Sequence, residues 1–256
     1  MDSNTISIFS SPQFPFNSTV DAEDITGSRS LILLGPLLYL LGSVALLPLA
    51  PDYITASSKR LQKWRSTNLA RLAAGISGVW ALAALHDSLA LRRDLMYGSS
   101  EMAVNLIIFS LGVHIAEVLD MLIIIRQFSL LSIHHVAVIT CFAGALLTKS
   151  SIGFAVLTLV TELNAVTNKT RILHIISQTD NNSVEFIINS YMNILTFFIR
   201  ILVIFWMNNQ AFQYFSEDPC VFFACCSLGL LFVNMWNLSV FKTLIVKDVI
   251  RKQKLV

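Results

Sequence analysis

Apolar residues run along this chain in long blocks separated by short polar joints, with blocks near residues 30–50, 67–91, 102–125, 131–148, 151–173, 186–207 and 219–241. The first contains LILLGPLLYLLGSVALLPLA, twenty uncharged residues at 31–50, and at about 1.5 Å rise per residue such a helix crosses a hydrocarbon core of roughly 30 Å. The pattern predicts an all-α polytopic membrane protein with about seven transmembrane helices. The fourth and fifth blocks are short and separated only by TKSS, which predicts a tight helical hairpin. The chain divides into a polar tail at 1–28, a first span at 29–50, a helical bundle at 59–246 and a basic tail at 247–256. Residues 1–28 carry Asp2, Asp21, Glu23 and Asp24 and no Lys or Arg, unlike a secretory signal, so the first span reads as retained.

Polar positions inside the blocks are ordered. A charge at mid-membrane costs roughly 2.5–3.5 kcal/mol on insertion scales and is expected to face protein or water. His114, Glu117 and Asp120 recur every three residues in the third block, within one arc of a helix. Thr161, Asn164, Asn168 and Arg171 form a second stripe with Glu162 beside it, and Asn189, Asn193, Thr196 and Arg200 a third. The stripes predict that helices three to six surround a polar interior, with Arg200 and Arg171 partnering Glu117, Asp120 or Glu162. Two readings stay open: interhelical glue at about 1 kcal/mol per contact, or a functional cavity.

The fourth block opens on His134 and His135, in LSIHHVAVITCFAGALL. Adjacent helical positions point about 100° apart, so one imidazole is expected to face the cavity and the other a neighbouring helix or the interface. The chain has five histidines and no HxxHH or HxxxH, so no metal and no cofactor is expected. Acyl transfer needs less: an imidazole as general base or nucleophile, oriented by Glu117 or Asp120, with acyl-CoA as substrate.

Composition narrows the partners. With 55% hydrophobic and 13% charged residues and a net charge of +2, there is no basic domain for nucleic acid; membrane phospholipids and fatty acyl chains are the expected partners, and a homo-oligomer is allowed. The four cysteines show neither a metal nor a disulfide spacing. Twelve Lys and Arg fall on the side of the C-terminus against four on the other, which predicts an outside N-terminus and a cytoplasmic C-terminus. Asn17, in NST, is then an outside glycosylation acceptor. The ending KQKLV reads either as a dilysine retrieval address or as a basic tail held at anionic lipid.

WRSTNLARLAAGISGVWAL (64–82), SLGVHIAEVLDMLI (110–123), IHHVAVI (133–139), TELNAVTNKTRILH (161–174) and KDVIRKQ (247–253) follow one another as in the TLC (TRAM, LAG1, CLN8 homology) domain, which the chain resembles over residues 59 to about 253. The resemblance is closest to the membrane-fluidity regulators within that family. It implies a six-helix TLC bundle preceded by one extra span, in which the paired histidines, Glu117, Asp120, Glu162 and Asn164 line the interior. It further implies a plasma-membrane protein that limits incorporation of long-chain polyunsaturated acyl chains into phospholipids. Ceramide synthases share the domain, but their acidic residues after the histidine pair, including an HD pair, have no match here, where His174 precedes Ile175.

The leading reading is a regulator of phospholipid acyl composition, without requiring turnover. The alternative is an acyl-CoA-dependent acyltransferase using His134 or His135, on an acceptor other than that of ceramide synthesis. A seven-span receptor fits the topology alone, since no DRY-like triplet closes the third span and NMWNLSVF stands where NPxxY would. Plasma membrane is favoured as the location, with the endoplasmic reticulum as the alternative.

Overall fold

The computed structural model describes residues 24–126, 130–178, 183–217 and 221–246. Asn17, residues 1–23 of the polar tail and the KQKLV ending lie outside them. The described chain is helical: α1 (Asp24–Leu46), α2 (Asp52–Thr55), α3 (Ser58–Asp87), α4 (Leu89–Arg93), α5 (Glu101–Leu119), α6 (Leu130–Thr148), α7 (Ile152–Val160), α8 (Leu163–Ile176), α9 (Val184–Glu217) and α10 (Val221–Ile245). Among the described residues, five helical stretches are long and apolar enough to cross a membrane: Ser30–Leu49, Ser58–Asp87, Glu101–Ile124, Leu131–Thr148 and Val184–Tyr214. The all-α polytopic expectation therefore stands.

Local chemistry sets the ends. Ser100 caps α5, its hydroxyl accepting from the Ala103 amide at 3.2 Å, with Glu101 in the positive first turn. Ser88 both stops α3 and caps α4, accepting from the Leu91 amide at 3.2 Å. The expected hairpin between α6 and α7 forms through Lys149 and Ser151, both in the left-handed region at φ 53° and 63°. The Ser151 amide donates to the Met96 carbonyl at 2.5 Å, anchoring the turn to the loop before α5.

Two boundaries differ from expectation. The second span begins at Ser58 rather than near residue 67, because SKRLQKWRS contains no helix breaker and continues the helix beyond its apolar part. The fifth predicted span, 151–173, is two helices, α7 and α8, broken at Thr161 and Glu162. At the break the Thr161 hydroxyl donates back to the Thr158 carbonyl at 2.7 Å, and the Glu162 amide donates to the Leu159 carbonyl at 3.1 Å. Backbone groups released by an interrupted helix are thus satisfied locally, as an apolar surrounding requires.

The main core is built on α5, where Leu106, Ile107 and Leu111 meet Ala81 and Ala84 of α3, Phe142 of α6 and Val156 and Leu159 of α7. α8 packs between α3 and α9, and α10 packs on α9. The small Gly78 of α3 admits α8 closely: a Cβ there would lie 2.7 Å from the Leu163 side chain. α1 lies on α5, while Leu33, Leu37, Leu40 and Val44 stay exposed on its outer side. Such a continuous apolar exterior suits acyl chains as solvent.

Candidate functional site

Three side chains from two helices converge on one point. His114 and Glu117, three residues apart on α5, share a face, and His135 reaches them from α6. Glu117 Oε2 lies 3.2 Å from His114 Nδ1 and 3.4 Å from His135 Nδ1, and the two Nδ1 atoms are 3.1 Å apart. All three side chains are nearly enclosed, at 10–12% exposure. His134 stands alongside, its ring centroid 5.6 Å from that of His135.

These groups border a cavity of about 420 Å³ between α3, α5, α6, α7, α8, α9 and α10, within the range of small-molecule sites. Ala73, Ala165, Leu159, Ile172, Phe197 and Val240 supply apolar wall; His134, Glu162, Asn164, Asn168, Lys169 and Arg200 supply polar groups. Arg200 lies 4.0 Å from Glu162. Its Nε, and Nδ2 of Asn237 on α10, are buried donors without a hydrogen-bond partner among the described residues. Asn164 is held by Thr196 at 2.9 Å, and Thr196 is shared with Thr167 at 2.9 Å, so α8 and α9 are stitched behind the cavity.

His114, Glu117, His134, His135, Glu162, Asn164, Asn168 and Arg200 thus border one cavity. Both histidines of the pair reach it, where helix geometry alone placed one and the family resemblance implied both; their 100° separation is accommodated because the cavity wraps one end of α6. Asp120 departs from expectation. Its partner is Arg65 of α3, at 2.6 Å, rather than Arg171 or Arg200, and it also accepts from Ser66 and, at 3.3 Å, from Tyr39 of α1. Three-residue steps rotate by 60° on an α-helix, so Asp120 points about 120° from His114 and meets α1 and α3 instead of the cavity.

In the second stripe the cavity-facing cation is Lys169 rather than Arg171, since Asn168, Lys169 and Ile172 follow Ala165 at i+3, i+4 and i+7. Asn193 is fully buried behind the wall, its amide oxygen 3.5 Å from Asn164 Nδ2. Arg65, Ser66 and Tyr39 were not singled out in the sequence; the helix-compatible SKRLQKWRS stretch was the available signal, placing Arg65 two turns inside α3.

The fold and cavity define a class: a polytopic helical membrane protein enclosing an apolar-walled chamber with ionisable groups along one side. Residues 63–246 match the TLC domain (TRAM, LAG1 and CLN8), and the chain belongs to that family. It is 30% identical to TLC domain-containing protein 2 of Danio rerio over 199 residues, covering 75% of this chain and 79% of that one. It is 25% identical to TLC domain-containing protein 2 of Homo sapiens over 205 residues, covering 78% and 77%. It is 28% identical to TLC domain-containing protein 1 of Gallus gallus over 176 residues, covering 66% and 69%. No solved structure matches the chain.

Proposed function

We propose that this protein regulates phospholipid acyl composition, limiting incorporation of long-chain polyunsaturated acyl chains and thereby the fluidity of its membrane. The observation that carries the reading is the cavity itself, which joins apolar wall to a polar side that includes Lys169, Arg200 and Asn237. An acyl chain matches the wall, and a carbonyl or phosphate oxygen matches the cationic Lys169 and Arg200. The excess of Lys and Arg on one side supports an outside N-terminus with Asn17 glycosylated and a cytoplasmic C-terminus. Plasma membrane is the proposed location, with KQKLV as the test of retrieval to the endoplasmic reticulum.

Deleting the gene is expected to raise the polyunsaturated share of phosphatidylethanolamine and phosphatidylcholine under polyunsaturated lipid challenge, read by lipidomics. Wild-type protein restores the lower share. Ala165→Phe, which fills the cavity from α8, restores less than half of the difference at equal expression. An unchanged lipid profile after deletion removes the reading.

The second reading, an acyl-CoA-dependent acyltransferase, is favoured by one observation: Glu117 lies within reach of two imidazoles and is placed to orient either. Purified protein given acyl-CoA and lysophospholipid or amine acceptors is then expected to turn over. His134→Ala with His135→Ala lowers that turnover at least about 100-fold, the scale of general base catalysis. Full turnover in the double variant excludes this chemistry.

A further inference from the structure

We infer that His114, Glu117 and His135 form a binding site for a divalent first-row transition ion of the zinc type, with its open coordination position on the cavity. The inference is independent of the function proposed above. It starts from the three separations, 3.2, 3.4 and 3.1 Å, which close a triangle among two Nδ1 atoms and one carboxylate oxygen.

Hydrogen bonds alone do not support all three edges. Each neutral imidazole carries one N–H and one lone pair, and the ionised carboxylate only accepts. With a proton on both Nδ1 atoms, both bonds run to Glu117 and two N–H groups confront each other across the His114 and His135 edge. With a proton on one, the other Nδ1 turns a lone pair toward the carboxylate oxygen. A cation at the centre supports every edge at once, since all three atoms present lone pairs to it.

The dimensions agree with such an ion. Zinc bonds imidazole nitrogen and carboxylate oxygen at about 2.0–2.2 Å, which in a tetrahedron sets neighbouring donors about 3.3 Å apart. The donor set of two imidazoles and one carboxylate is that of zinc and related ions with open positions. Its construction also follows helical-bundle practice, where a His and a Glu at i and i+3 on one helix meet a ligand from a facing helix. Here α5 gives the pair and α6 gives the third. All three ligands border the chamber, so the fourth position opens toward its contents.

Local spacing hides this site, because His135 lies 21 residues from His114 and neither HxxHH nor HxxxH is needed when the helices themselves bring the ligands together.

The test uses the full chain in lipid nanodiscs, stripped with chelator, reloaded with zinc or cobalt, desalted and analysed for metal. The expected result is one equivalent of zinc per chain, with X-ray absorption reporting two imidazoles and one carboxylate, and the visible bands of low-coordinate cobalt after cobalt loading. His135→Gln and Glu117→Gln are each expected to weaken zinc binding more than about 100-fold, beyond the 10–100-fold effect of losing an outer partner. His174→Ala retains it.

No metal above that of empty nanodiscs overturns the proposal, as does full retention in both ligand variants. Should those variants fail to fold, the imidazole count on wild-type protein decides, and any number other than two overturns it. Metal content is read on purified protein, so lipid profiles can fail to change while the site stands, and the reverse.

Discussion

Asp120→Ala is expected to cost about 3–5 kcal/mol of stability, the largest effect of any single change considered, because it leaves a buried cation without its counter-charge. The Arg65 side chain is 12% exposed and that of Asp120 4%, and the pair is 2.6 Å apart. Ser66 and Tyr39 donate to the same carboxylate, so the substitution also orphans two hydroxyls. Thermal unfolding of the detergent-solubilised protein checks this: a fall in Tm of at least about 6 °C is expected at the 2–4 °C per kcal/mol of a chain of this size.

The control separates a lost charge pair from a lost shape. Arg65→Met combined with Asp120→Leu removes both charges and is expected to recover most of the loss, since the uncompensated ion rather than the missing attraction dominates. Tyr39→Phe, which removes one 3.3 Å hydrogen bond, costs only about 1 kcal/mol. Equal losses for the single and the double charge variants would show that packing, not charge, holds the three helices here.

Gly112→Val is the second large effect. A Cβ at Gly112 would run into the Ile32 carbonyl and lie 2.8 Å from Cδ of Pro36, both on α1. The reciprocal position is equally tight: a Cβ at Gly35 would stand 2.7 Å from the Phe109 carbonyl and 2.8 Å from the Val113 amide. The obstacles are backbone and a proline ring, neither of which has a rotamer to change, so α1 must move away from α5. Glycine at such a crossing lets two backbones approach where lipid offers no hydrophobic drive for helices to associate.

Overpacking ordinarily costs about 1–3 kcal/mol, and separation of the helices additionally breaks the Tyr39 contact with Asp120. That coupling gives the measurement. In wild-type protein Tyr39→Phe is destabilising, whereas in the Gly112→Val background it is expected to be silent, because the bond is already gone. Additive losses would mean that α1 stays seated.

The helical class and the cavity-facing residues were legible in the sequence because the membrane penalises stray polarity. A charged or strongly polar group inside an apolar block is expected to face protein or water, which is why His114, Glu117, Glu162, Asn164 and Arg200 could be assigned to one interior. Rotation was harder to read. A stripe at i, i+3, i+6 drifts by 60° per step, and by Asp120 it had left the cavity for α1 and α3. In the second stripe Lys169 borders the cavity in place of Arg171, although Arg171 lies only about 20° from Asn164 around the helix.

Partner choice was less legible still. Arg65 lies in a segment whose charge resembles a cytoplasmic loop, and only the helix-compatible residues around it indicate that α3 continues there. The close passage of α1 over α5 depends on Gly35 and Gly112, which a sequence records merely as small. The triangle of His114, Glu117 and His135 needs the relative placement of α5 and α6, information that no window along the chain contains.

The Tyr39, Arg65 and Asp120 junction also has a bearing on biosynthesis. Arg65 and Tyr39 precede Asp120 by 55 and 81 residues, so on a ribosome adding roughly 5–20 residues per second the guanidinium and the phenol emerge seconds before their carboxylate. Until the later helix is made, the earlier two lack the carboxylate that joins them in the folded chain. The junction of all three can therefore close only after residue 120 has been made.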